Sequence, residues 1–168
     1  MKHEEFKQAR CFMFTDIRRE IELANASETV EGRNALNNVG ISPGGGNFMA
    51  ALALLSYTEF GGKQKFNFKK GNGSDHSSKN FNEFFDGLGQ EYKDFRADNN
   101  VYDIFRCGLA HEYYVKKSCI ITMCVEQVTA PSIGRQSDGQ YYFAVAPYCR
   151  DLERAFIDLE QDLYGESA

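Results

Sequence analysis

Two side chains in one short stretch can do chemistry together. Arg106 and His111 stand on either side of four residues in Val101-Tyr102-Asp103-Ile104-Phe105-Arg106-Cys107-Gly108-Leu109-Ala110-His111-Glu112-Tyr113-Tyr114. An imidazole, with a reference pKa near ~6.5, gives and takes protons around neutrality. A guanidinium stays charged and offers phosphate oxygens a planar fork of donors. Together they supply what RNA cleavage without a metal requires. His111 would serve as general base or acid for attack of a ribose 2′-hydroxyl on the adjacent phosphorus, and Arg106 would stabilise charge gathering on the phosphoryl oxygens. The products of that reaction are a 2′,3′-cyclic phosphate and a 5′-hydroxyl, and DNA, lacking the nucleophile, is inert. The plain alternative is that an Arg and a His at this spacing occur by chance in many helices, where a terminal His simply meets the last carbonyls.

The elements around the pair decide whether it can act. Five helical steps turn about 500°, so the two side chains of a regular helix point about 140° apart. They meet only if the helix deforms or ends between them, or if two copies face each other. Gly108, a poor helix former, eases deformation. Lys116 and Lys117 follow the motif and read equally as contacts for RNA phosphates or as a solvated pair. Glu59 lies in the most apolar predicted helix; it either orients Arg106, since a buried carboxylate wants a cation, or reaches water at the helix end, which is the favoured reading.

Helical periodicity predicts an amphipathic helix over 4–24 (Phe6, Met13, Ile17, Ile21, Ala24), and then a loop over 25–46 that includes Ser42-Pro43-Gly44-Gly45-Gly46. Asn47 is expected to cap a buried helix over 48–60 that Gly61-Gly62 stops. Residues 63–79, rich in Lys, Gly, Ser and Asn, read as a mobile loop: a solvated insertion or, less favoured, a basic flap over a phosphate-bearing ligand. A short helix with Phe81, Phe84, Phe85 and Leu88 follows, started by Asn80 and Glu83 at capping-box spacing. Another helix begins near Val101. Ile120, Ile121, Val125 and Val128 favour a strand, and 141–146 a second, so 118–146 reads as a β-hairpin. Pro147 opens a last helix with the stripe Tyr148, Leu152, Phe156, Leu159 and Leu163. The expectation is a mainly α single domain over 1–168, a bundle of four or five helices with a β-hairpin inserted before the last.

Composition sets the outer bounds. The 168 residues are 42% hydrophobic, enough for one core, and the formal charge of −5 argues against a broad electrostatic grip on nucleic acid or anionic lipid. Any polyanion must therefore be held at a local site. Five cysteines without a CxxC pair, and His3, His76 and His111 far apart, lead to the expectation of no disulfide scaffold, no metal and no cofactor. The charged opening MKHEEFKQAR and apolar runs such as 50–55, far short of the ~20 residues of a spanning helix, predict a soluble cytoplasmic protein with no membrane partner.

Arg106-x4-His111, set in an aromatic-rich late helix of an all-α bundle, resembles the HEPN family (higher eukaryotes and prokaryotes nucleotide-binding domain). The longer Arg106-x4-His111-x-Tyr113 is similar to the form in HEPN toxins paired with nucleotidyltransferase antitoxins. The matching core is eight residues, and the bundle layout agrees over most of the chain. The resemblance implies a HEPN-like bundle with metal-independent endoribonuclease activity on single-stranded RNA, a homodimer whose two motifs line one cleft, and a toxin or defence role. It further implies an antitoxin partner and Tyr113 as a site of inactivating nucleotidylation. Many active members carry Asn, Asp or His directly after the Arg; here Cys107 stands there, and a thiol is a weak donor. The alternative expectation is accordingly a catalytically silent HEPN-like dimer that binds nucleotide or RNA, or serves as an interaction module.

Overall fold

The computed structural model describes residues 1–112, 115, 118–123 and 132–165. Among these are seven α-helices, one π-helical segment and a three-stranded sheet, so the chain is mainly helical. Helix α1 (His3–Ser27) carries Glu4 and Glu5 in its first turn, where the helix dipole favours them, and buries Phe6, Phe14 and Ile17. Helices α3 (Asn47–Lys65), α4 (Ser77–Asp86) and α7 (Val145–Tyr164) complete the bundle. The core closes on Phe156 of α7, whose ring meets those of Phe6, Phe14, Phe60 and Phe84. Such edge and offset contacts add to the area that the rings bury. The expected stripe of α7 holds at Tyr148, Leu152, Phe156 and Leu159, whereas Leu163 is exposed.

Several boundaries differ from the sequence expectation. The stretch read as loop over 25–46 contains α2 (Val30–Asn38), capped by the Thr29 hydroxyl, which accepts from Gly32 N at 3.0 Å. Leu36 is its buried residue, so the helix has almost no apolar period to read. Helix α3 does not stop at Gly61-Gly62. A β-carbon on Gly62 would lie 1.9 Å from Asn80 O, and one on Gly61 would lie 2.7 Å from the Phe84 ring. These glycines therefore let α4 approach α3, and packing outweighs their poor helix propensity.

Helix α4 starts at Ser77, ahead of the expected cap at Asn80. Asn80 is buried, and its side-chain amide pairs with the backbone of Phe68: Phe68 N donates to Oδ1 at 2.9 Å, and Nδ2 donates to Phe68 O at 3.3 Å. The segment expected as a loop over 63–79 is thus helical at both ends and, between them, folded back on itself with Lys69 bridged to Asp75. A short α5 (Gln90–Asp98) follows, with Tyr92 buried.

The hairpin expected between 118–129 and 141–146 takes a different form. Strand β1 (Cys119–Thr122) runs parallel to β3 (Tyr141–Ala144), with Cys119 opposite Tyr141. Strand β2 (Ile133–Arg135) lies antiparallel on the other side of β3. The true hairpin is therefore β2–β3, closed at Gln136–Gln140, where Gly139 takes a left-handed φ of 89°. Residue types favour a strand equally in either direction, so pairing was not readable from them. The sheet leans on the helices through Asn47, whose Nδ2 donates to Ile121 O at 2.8 Å. Strand β3 ends at Ala144, and Pro147 falls in the first turn of α7, where its missing N–H costs nothing. No helix among the described residues is long and apolar enough to cross a membrane.

Candidate functional site

The helix expected near Val101 begins there, but Tyr102–Cys107 is wound as a π-helix before α6 (Gly108–Glu112) resumes α geometry. Its inward side chains are Val101, Ile104, Phe105 and Leu109, with Phe105 edge-on to Phe95 and Tyr141. The deformation thus reaches Arg106 from the N-terminal side. Between Gly108 and His111 the winding is α, so the convergence that a break between the two residues would have allowed does not arise there. Hydrogen bonds of the i→i+5 kind are rare and often mark functional positions.

Arg106 is directed at α3. Its Nε donates to Glu59 Oε2 at 3.0 Å, and both side chains are about one-fifth exposed. The favoured expectation that Glu59 simply reaches water is therefore corrected: it is the counter-ion of Arg106. One bond to Glu59 commits one of the five N–H donors of the guanidinium. Cys107 is half-buried next to it, and its thiol is free. His111, in contrast, is exposed on the last turn of α6, and its ring is not sealed in the core. Tyr113, Lys116 and Lys117 lie outside the described residues.

Tyr102 is a member of this group that sequence reasoning missed. Its ring stands edge-on to that of Phe81 on α4. Burial pushes its phenol up, with Glu59 and Cys107 adding to the shift and Arg106 and the Ser77 side chain opposing it. The available signal was position: Tyr102 lies about one turn before Arg106. A polar cleft of about 420 Å³ opens at the start of the π segment, lined by Asn82, Arg96 and Asn100 among others; neither Arg106 nor His111 lines it. Arg96 is already held there by Asp86.

Among the described residues, no group of three or more His, Cys, Asp and Glu side chains is placed to hold a metal ion. Comparison with known proteins returns no matching family model, no matching curated protein and no matching solved structure.

Proposed function

We propose that the chain is a metal-independent endoribonuclease of the HEPN type, acting as a homodimer on single-stranded RNA in a toxin or defence setting. The observation that carries this reading is an exposed imidazole and an anchored guanidinium in one short helical run: His111 is open to solvent while Glu59 holds Arg106. Anchoring matters because a guanidinium fixed in advance loses less freedom when it meets phosphate. Arg106 is directed at α3 and His111 lies at the exposed end of α6, so a two-fold arrangement is the natural way to complete one cleft from two chains.

In that cleft His111 takes the proton of the 2′-hydroxyl as its oxygen attacks phosphorus. The bond from phosphorus to the 5′-oxygen breaks, and that oxygen leaves with a proton delivered by the partner's His111. Arg106 donates to the non-bridging oxygens as their charge grows. Lys116 and Lys117 contact flanking phosphates, and Tyr113 is the residue that an antitoxin partner would nucleotidylate. The expected result is cleavage of single-stranded RNA in EDTA, with cyclic-phosphate products and no effect on DNA. His111→Ala and Arg106→Ala each abolish it. Cutting that survives both substitutions sinks the assignment.

Cys107 supports a second reading, a catalytically silent HEPN-like dimer that binds nucleotide or RNA, or serves as an interaction module. The half-buried thiol beside Arg106 is a weaker donor than an amide. If the protein is inactive and Cys107→Asn switches cleavage on, this reading is the right one.

A further inference from the structure

Residues 66–76 form a flap that Phe66 roots on the core and that projects beyond it. Its base is fixed by the buried amide of Asn80 on both polar atoms of Phe68, and by His76 N, which donates to Phe68 O at 2.9 Å. Its arms are joined by the Lys69–Asp75 bridge and by Lys70 N, which donates to Ser74 O at 2.8 Å. Its tip turns at Gly73, φ 82°, and a β-carbon on Gly71 or Gly73 would meet nothing within 4 Å. A buried polar side chain is thus used to fix an exposed hairpin that carries Lys69 and Lys70 outward.

The flap is locally basic in an acidic chain. Lys63, Lys65, Lys69, Lys70 and Lys79 cluster on it and its flanking helices, and the acids that pair with them are Asp75 and, on α7, Asp162. Asp75 sits between Lys63 and Lys69, in the place an anion would occupy. Lys79 lies over the Phe68 ring at 4.0 Å. Lys70 is exposed and forms no ion pair with a described residue.

Two links tie the flap to Arg106. Lys63 follows Glu59 by one turn on the same face of α3, so the cation that holds Asp75 stands beside the carboxylate that holds Arg106. Helix α4, which leaves the foot of the flap, meets the π segment through Phe81, whose ring stands edge-on to Tyr102, about one turn before Arg106. Charges of alternating sign therefore run from Arg106 through Glu59, Lys63 and Asp75 to Lys69, and the exposed Lys70 stands beyond them at the tip.

We infer that this flap is a phosphodiester-binding lip, on which Lys63, Lys69 and Lys70 hold backbone phosphates of single-stranded RNA flanking the one that Arg106 addresses. The inference rests on the ribonuclease reading for its substrate class, but its geometry is independent of His111. Binding by such a lip is insensitive to base sequence and steeply salt-dependent, because each phosphate neutralised releases counterions.

The test uses full-length protein and a fluorescein-labelled 2′-O-methyl single-stranded RNA, which cannot be cut. Lys69→Ala/Lys70→Ala is expected to weaken binding about 10-fold at low salt and to flatten the log–log salt slope by about 1.4, two contacts at ~0.7 each. Lys69→Arg/Lys70→Arg keeps binding, and Asp75→Asn tightens it. On cleavable RNA the Ala pair lowers the single-turnover rate at low protein concentration and leaves the saturating rate unchanged. Binding to the RNA that ignores the Ala pair overturns the lip, whatever the cleavage assay shows. So does a Lys-dependent loss seen only with anionic lipid vesicles. Cleavage that depends on His111 but not on the flap lysines leaves the nuclease standing and removes the lip; RNA binding that needs the flap without any cleavage does the reverse.

Discussion

Helix α7 and the π segment both pack against α3, and they do so by different means. At α7, Phe156 is enclosed by the rings of Phe6, Phe14, Phe60 and Phe84, and the ion pair of Lys65 with Asp162 lies exposed at the rim. At the π segment the contact is the ion pair of Arg106 with Glu59, one turn from Lys63 and Asp75. Dispersion and burial reward any close fit and are indifferent to partner identity beyond shape. A half-buried ion pair is worth little in stability, because desolvation offsets attraction. The difference separates an apolar junction, which folding itself rewards, from a charged one, on which the proposed chemistry rests.

Three measurements would break or sharpen that contrast. The largest effect is expected from Phe156→Ala, which removes the ring at the centre of the aromatic junction and should destabilise the protein by about 3–5 kcal/mol in urea unfolding. A loss under about 1 kcal/mol would mean that the junction closes without it. Gly62→Ala comes next. The added methyl meets the Asn80 backbone, not a flexible side-chain end, so α3 and α4 must part, at a cost of about 1–3 kcal/mol. Because Asn80 also fixes the flap, amide exchange at Phe68 and His76 should quicken in the same variant.

The smallest effect lies on the charged side. The hydrogen bonds from Lys63 and Lys69 hold the Asp75 carboxyl down to about 2, against an ordinary value near ~3.9. A carboxyl lowered on folding stabilises the folded state above its unfolded pKa, and that contribution disappears as pH falls through about 2. The groups are exposed, so global stability should barely move, while the flap loosens between about pH 4 and 2. Carboxyl-carbon NMR titration should place the Asp75 midpoint near 2 in the wild type and higher in Lys69→Ala. An unchanged midpoint would show that Lys69 is not its partner.

What could be read beforehand followed periodicity. Tyr148, Leu152, Phe156 and Leu159 repeat at helical spacing, and the helix they predict is the one that forms. Helix α2 escaped because its cap, not its apolar residues, defines it, and a single Thr29 does not outweigh a polar stretch. Gly61-Gly62 read as a stop because propensity is local, while the reason for those glycines is α4, which follows in the chain. For the site, residue types alone singled out Arg106, His111 and Glu59. That Glu59 faces Arg106 was the less favoured of two readings, and that Tyr102 stands edge-on to Phe81 beside them was not readable, since neither link has a spacing in the chain.

By itself the sequence determined a mainly helical chain with one apolar core, and the residue types from which proton transfer and phosphate binding can be built. Only the tertiary structure decided that α3 continues to Lys65, that β1 joins β3 in parallel, and that the basic flap stands on the Arg106 side. The physical reason is that helical periodicity and propensity act over a few residues and are written in order along the chain. Close approach, strand direction and charge pairing depend on atoms that only folding brings together.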